Sequence, residues 1–307
     1  MVALPRDPSE LPAPLPDGRL VHDAKQHSSE KLFYWSRVLQ EYATRTKFKW
    51  AGRRVCIDLF ASCGIYRNAV TGELGWGSPL LALHAVNPFD VYIFGDKDAE
   101  RARVLAERVD DSGLVATEAL RLSVDDPDIM HQAREFKAQN VRGPKCAVLT
   151  GDANRAVPIV KRMMPAFERR RMALTMVDPY GVAFDWVSLA GLTLYERMDL
   201  LIYFPEDIDL ERNWRLQQRT DLYMPTGADW QSAVTVAPIN RGRIFREIYV
   251  DGLERQLGLK VGVPKSIRAN NREIYKLLYA SRHETGLDVW EHARREDPGG
   301  QIEMYLS

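Results

Sequence analysis

The chain has 307 residues, 45% of them hydrophobic and 27% charged, and its 42 basic side chains balance its 42 acidic ones. A chain of this length buries a substantial core. Its neutrality excludes attachment to nucleic acid through overall charge but leaves local basic patches open, and no run approaches the roughly 20 apolar residues that span a bilayer.

Residues 1–20 carry prolines 5, 8, 12, 14 and 16. Each removes an amide donor and resists helix, so an extended Pro-rich tail that adds little to the core is expected. This segment is Pro-rich and acidic rather than basic-then-apolar, so no secretory signal is read and a cytoplasmic location is expected. From Ser28 the pattern turns helical through Leu32, Trp35, Leu39 and Tyr42, with Ser28 or Ser29 as the cap. Five apolar runs follow: RVCIDLF (54–60), VYIFGD (91–96), CAVLTGD (146–152), MALTMVD (172–178) and LLIYFP (200–205). Between them lie the helical stretches SPLLALHAV, DAERARVLAERV, ANRAVPIVKRMM and DWVSLAGLTLYERM. Near-continuous apolar strands separated by helices predict a parallel sheet covered on both faces. PKSIRA (264–269) and REIYKLLYAS (272–281), flanking Asn270-Asn271, predict a terminal hairpin. The expected fold is therefore α/β: residues 21–307 form one Rossmann-like, doubly wound domain with a mostly parallel sheet and a C-terminal antiparallel hairpin, the layout of class I methyltransferases.

Ligands of open parallel sheets sit at the carboxyl ends of the strands. Asp58, Asp96, Asp152 and Asp178 end four of the five runs there. Asp96 is placed to accept from a ribose diol, as the acid after the second strand does in dinucleotide folds. Asp152 is placed for an adenine amino group, and Asp58 with the amides of Ala61 to Gly64 for the amino-acid end of such a cofactor. Each acid alone also fits a helix cap, as Asp98 before AERARVL does. Asp178, Pro179 and Tyr180 open the turn DPYG, which resembles the (Asp/Asn/Ser)-Pro-Pro-(Tyr/Phe) signature of enzymes that methylate exocyclic amino groups, with the second proline absent. In that signature the carboxylate accepts from the target nitrogen, the proline offers its carbonyl and the aromatic ring stacks on the base. Ser78-Pro79 is a helix start, so Ile65–Gly77 is an inserted loop in the first strand-to-helix connection, a lid or partner surface carrying Tyr66, Arg67 and Trp76.

Taken together, His27 and Lys31, DLFASCGIY…GSPL, DKD (96–98), GDAN (151–154), VDPYG (177–181) and YKLLYASRHETGLDVW (275–290) resemble the three-Cys-motif partner protein family, TcmP. Ser62 and Cys63 stand where that family has Gly-Pro. The resemblance implies a methyltransferase-like fold and partnership with a radical S-adenosylmethionine protein that carries the three-cysteine motif. Cys56, Cys63 and Cys146 lack the close spacing of such a motif and are expected as buried thiols.

Three readings stay open. The first is a methyltransferase with S-adenosylmethionine as cofactor and a nucleic acid or nucleotide-like acceptor, in which Asp178, Pro179 and Tyr180 hold the acceptor. The second is a non-catalytic partner of the radical enzyme, docking through 65–77 and the aromatics Trp214, Tyr223 and Trp230. The third is a metal-dependent hydrolase or nuclease using the strand-end acids, although no metal-ligand spacing joins the six histidines. FERRRM (167–172) is expected as a solvated basic run, and His283 and Trp290 as core packing.

Overall fold

Strands that are apolar along their whole length must be covered on both faces, and each of the five runs meets that requirement. The computed structural model describes residues 11–24, 27–49, 54–165, 171–193, 197–212, 214–216, 219–236, 240–269 and 272–299. Elements run in the order β1 (His22–Ala24), α1 (His27–Thr46), β2 (Arg54–Asp58), β3 (Ile65–Asn68), β4 (Leu74–Trp76), α2 (Ser78–Leu83), β5 (Val91–Asp96) and α3 (Ala99–Asp111). Next come β6 (Leu120–Ser123), α4 (Ile129–Ala138), β7 (Lys145–Thr150), α5 (Ala153–Met163), β8 (Met172–Val177), α6 (Trp186–Thr193) and β9 (Met198–Phe204). After a π-helical segment (Glu206–Glu211) and a 3-10 turn (Trp214–Leu216), the chain forms α7 (Thr220–Tyr223), α8 (Trp230–Val236), α9 (Arg241–Arg255), β10 (Lys260–Val261), β11 (Lys265–Ala269), β12 (Arg272–Ser281) and α10 (Glu284–Arg294).

The main sheet has the order β6-β7-β5-β2-β8-β9-β12-β10, with β11 also paired to β12. The six strands from β6 to β9 are parallel, and β12 turns antiparallel against β9. This is a mixed α/β fold with a large, mostly parallel sheet, and the predicted hairpin is β11–β12. Every residue of β2 and β9 is buried. Alternate side chains feed two cores. Ile57, Ile93 and Ile202 join residues of α4, α5, α6 and α9 on one face. Cys56, Tyr92 and Leu201 join Trp35, Tyr42 and Trp290 on the other. Trp290 is fully buried, stacks on Tyr279 at 5.8 Å and donates to the Val263 carbonyl, as its core assignment requires. His283, expected in the core with it, is instead exposed at the N-cap of α10.

Three expectations need correction. The 65–77 segment is not an irregular loop. β3 and β4 form a hairpin that β1 extends in parallel, giving a separate three-stranded sheet. Gly75 faces Tyr66 across the hairpin, and a Cβ there would lie 2.3 Å from the ring, so the tyrosine covers the space a side chain would fill. Second, the described part of the tail, 11–20, is extended but docked. Pro14 is buried, Leu11 packs on the core and Trp76 Nε1 donates to the Pro12 carbonyl at 2.9 Å. Third, the caps shift. α1 starts at His27, which puts Ser28 and Ser29 in its first turn, and the N-cap of α2 is Gly77 rather than Ser78.

Gly77 has a structural reason to be glycine. Its amide donates to the Gly64 carbonyl at 2.7 Å, and an added Cβ would sit 2.8 Å from that same oxygen. Gly77→Ala is therefore expected to cost about 1–3 kcal/mol in urea denaturation and to displace the 61–64 loop.

Candidate active site at the carboxyl edge of the sheet

β8, β2, β5 and β7 are consecutive neighbours, so Asp178, Asp58, Asp96 and Asp152 stand in one row at their carboxyl ends. At about 4.8 Å per strand the row runs about 14 Å, along the edge where parallel sheets take ligands.

Asp58 is 1% exposed. Its Oδ1 accepts from the Phe60 amide at 3.0 Å, while buried Oδ2 has no partner that meets hydrogen-bond geometry among the described residues, although the Ser78 hydroxyl lies close enough to the carboxyl to favour its ionised form. Burial pushes its pKa up to about 7; the nearby Asp178 adds to the rise, and the Ser78 hydroxyl, Phe60 amide and Lys31 oppose it. A buried acceptor left unsatisfied is costly, and it fits an incoming group that brings a donor or positive charge.

Asp96 is half-occupied by the fold itself. Oδ1 accepts from the Asp98 amide at 2.8 Å and Oδ2 from the Ser62 amide at 2.9 Å. Each carboxylate oxygen keeps a second lone pair for a hydroxyl donor, and burial raises this carboxyl's pKa. Ser62 takes φ +52°, a left-handed conformation uncommon for a side-chain-bearing residue, and its buried Oγ has no partner among the described residues.

The expectation that the amides of Ala61 to Gly64 face a ligand is corrected for two of them. Ala61 donates to the Gly95 carbonyl at 2.8 Å, and Ser62 is bound to Asp96. Gly64, at φ +85°, is buried against Leu80 and Leu105, where an added Cβ would lie only 3.0 Å from Leu105 Cδ1 and 3.1 Å from Leu80. Ala61 and Gly64 therefore shape the turn, and Ala61 offers no free amide.

Asp152 caps α5, accepting from the Asn154 amide at 2.8 Å, so the cap reading applies to it. It remains partly exposed at the end of the acid row. Asn154 has a role that GDAN did not reveal. Its amide nitrogen donates to the Ala183 carbonyl at 3.0 Å, and its oxygen accepts from the Asp185 amide at 2.8 Å, stapling the loop after DPYG to α5.

Asp178 forms an ion pair with Lys31 Nζ, from the first turns of α1. Burial raises the pKa of Asp178, while Lys31 and His22 act to lower it. Lys31 Nζ also lies 4.7 Å from the centroid of the Tyr203 ring, and the Tyr203 hydroxyl donates to the Lys31 carbonyl at 3.0 Å. Lys31 entered the sequence reading only as part of a family-like segment, and nothing local links it to a residue 147 positions away. Pro179 is buried, whereas Tyr180 beside it is 98% exposed. Gly181 takes φ +64°, and the Asp209 carboxylate packs against it. Tyr275 of β12 is close enough to feel Asp209, Asp178 and Tyr180, and burial pushes its pKa up to about 12.

The aromatics assigned to docking lie elsewhere. Tyr223 and Trp230 are 1% and 7% exposed, and Trp214 packs edge-on to Trp230 at 5.9 Å, so they build the core around α9 rather than a presented surface. Cys56, Cys63 and Cys146 are all buried free thiols. Arg171 is buried and donates to the Pro165 carbonyl, while 167–170 lie outside the described residues. Among the described residues no group of three His, Cys, Asp or Glu side chains converges as a metal-ligand set. No described helix is long and apolar enough to cross a membrane.

The sequence matches no protein-family model and no curated protein. A solved structure similar to it is the crystal structure of protein LPL1258 from Legionella pneumophila str. Philadelphia 1, of the family model DUF519. The two share 10% identity over 89% of this chain and 97% of that one, with a TM-score of 0.38.

Proposed function

We propose that this chain is an S-adenosylmethionine-dependent methyltransferase acting on an exocyclic amino group of a nucleobase in nucleic acid. The observation that carries the reading is the Asp178–Pro179–Tyr180 turn: a largely buried carboxylate paired with Lys31, next to an aromatic ring left 98% exposed. An uncovered ring beside a held carboxylate suits a flat acceptor that stacks on one and hydrogen-bonds to the other. The sheet order, with antiparallel β12 between β9 and β10, supports a Rossmann-like fold of the class I methyltransferase type.

The residues present fit the cofactor. Asp58, with its unpartnered buried oxygen, would receive the amino-acid end, Asp96 the ribose diol and Asp152 the adenine amino group. When bound, S-adenosylmethionine supplies an electrophilic methyl group. The protein's part is position. Asp178 accepts an N–H of the acceptor and turns its lone pair toward the cofactor side, Pro179 offers its carbonyl, and Tyr180 fixes the plane of the base. Lys31 favours the ionised form of Asp178.

The resemblance to the three-Cys-motif partner family extends the proposal to a radical S-adenosylmethionine protein as partner. The β3–β4 hairpin, with Val70 74% exposed in its turn, is the surface available to it. A purely docking subunit gives no reason for the incompletely satisfied buried acid at Asp58, and a metal-dependent hydrolase finds no convergent ligand set among the described residues.

Calorimetric titration with S-adenosylhomocysteine tests the cofactor half, and absence of binding at millimolar ligand overturns it. The acceptor half rests on Tyr180. Because its ring touches little, Tyr180→Ala is expected to change stability by less than about 0.5 kcal/mol. It should weaken nucleic-acid binding by about 1–3 kcal/mol, the worth of one base–aromatic stack. Unchanged affinity in a filter-binding assay would remove the stacking role.

A further inference from the structure

Arg108 of α3 is 5% exposed, and its guanidinium joins two segments far apart in the chain. Nε and Nη2 hold the two oxygens of Asp17 at 2.8 and 2.9 Å, while Nη1 donates to the Cys63 carbonyl at 2.6 Å. Asp17 belongs to the N-terminal strap, residues 11–24. That strap is held to α3 again by Arg19, which pairs with Glu107 at 3.3 Å and Asp111 at 2.6 Å, and to the hairpin by Trp76 and by β1. Cys63 belongs to the loop whose neighbour, Ser62, binds Asp96 from a left-handed backbone.

We propose that Arg108 is a positioning residue that couples the strap to loop 61–64, so that the seating of the strap sets the affinity of the adjoining nucleoside site. A buried guanidinium requires a counter-charge, and here the strap supplies it. With Asp17 in place, the planar fork is fixed and its third nitrogen, Nη1, is aimed at the Cys63 carbonyl. With Asp17 gone, the guanidinium turns toward water and the Cys63 carbonyl loses its donor. A left-handed serine persists only where its surroundings hold it there, so Ser62 relaxes and withdraws its amide from Asp96. The link does not fade over ordinary pH, because the Arg108 hydrogen bond holds the Asp17 carboxyl well below its usual range, at about 2.

The test combines hydrogen exchange at the 61–64 amides, trypsin cleavage after Arg19 and calorimetry with S-adenosylhomocysteine, all on the full chain. Asp17→Asn is expected to expose Arg19 to trypsin, speed loop exchange about tenfold and weaken ligand binding about tenfold; Asp17→Glu should restore most of each. The exchanged pair Asp17→Arg with Arg108→Asp separates coupling from mere attachment. It rebuilds the ion pair and protects Arg19, yet leaves Cys63 without its donor, so loop exchange and affinity should stay impaired. Should that double variant fail to fold, Asp17→Asn alone decides. A freed strap with unchanged loop exchange overturns the proposal. The affinity arm rests on the cofactor reading, whereas the exchange arm does not. Wild-type protein that binds no S-adenosylhomocysteine overturns the nucleoside site, and the exchange data still decide the coupling.

Discussion

Asp58→Asn is expected to stabilise the protein at pH 8 and, on the proposed cofactor reading, to abolish binding of S-adenosylhomocysteine. Burial lifts the Asp58 carboxyl to about pH 7 from an ordinary value near 4 in the unfolded chain. For an acid raised on folding, stability is fully present below the unfolded pKa and is lost as pH rises through the folded one. The loss begins above about pH 4 and levels off beyond about pH 7, with an upper bound of about 4 kcal/mol from the shift. Asparagine keeps an acceptor for the Phe60 amide and removes the charge, so about 1–3 kcal/mol should return at pH 8 and almost nothing at pH 4.5. Urea midpoints at the two pH values measure this. The pH slope should shrink rather than vanish, because burial also raises buried Asp199, to about 6, with the same sign. A loss of stability in Asp58→Asn at pH 8 would show that the carboxylate is satisfied inside the protein, and the cofactor assignment would lose its support.

Under the proposed reading, in which this side chain serves the acceptor and not the nucleoside, Asp178→Ala is expected to reduce methyl transfer to nucleic acid by at least a hundredfold while leaving S-adenosylhomocysteine affinity within about threefold. Lys31→Met is the informative companion. It leaves Asp178 without its cation, so the carboxyl's pKa rises further and the ionised form appears only at higher pH. The acidic limb of the rate profile should therefore move to higher pH, and activity at pH 9 should recover part of what is lost at pH 7. With both side chains about one-fifth exposed, breaking the pair should cost about 1–3 kcal/mol. A rate profile that only drops, without moving, would assign Lys31 a packing role alone.

The row of acids was legible because it depends on one local regularity: a parallel strand buried on both faces ends in a polar residue at the ligand edge. Asp58, Asp96 and Asp178 follow that pattern directly. The hairpin β11–β12 was equally local, two β-rich runs around a pair of asparagines. β6 was missed because LRLS is a short edge strand with only Leu122 buried, too brief to show a period. The 65–77 hairpin was missed because β3 and β4 are four and three residues long and mostly half-buried, too brief to show a period, and the strand that extends them, β1, lies about forty residues earlier. The same limit hid the cation of the site. Lys31, Tyr203 and Arg108 owe their roles to contacts spanning 45 to 172 positions, and their immediate neighbours carry no trace of them.

The position of α1 also sets a timetable. Lys31 waits for Asp178 and Tyr203, and the Glu30 carboxylate accepts from the Arg268 amide, 238 residues further along. At about 5–20 residues per second, a ribosome takes about 12–48 s to supply that last partner. Until then the cover over Tyr34, Trp35 and Tyr42, all fully buried in the finished protein, stays incomplete. Trp35 and Tyr42 meet Ser78 and Phe89 early, but Tyr34 waits for Lys265 and the whole cluster for Tyr279 and Trp290. The emerging chain therefore displays an incompletely covered aromatic helix before the Lys31–Asp178 pair can form, and α1 is the segment on which a nascent-chain chaperone should be found by crosslinking.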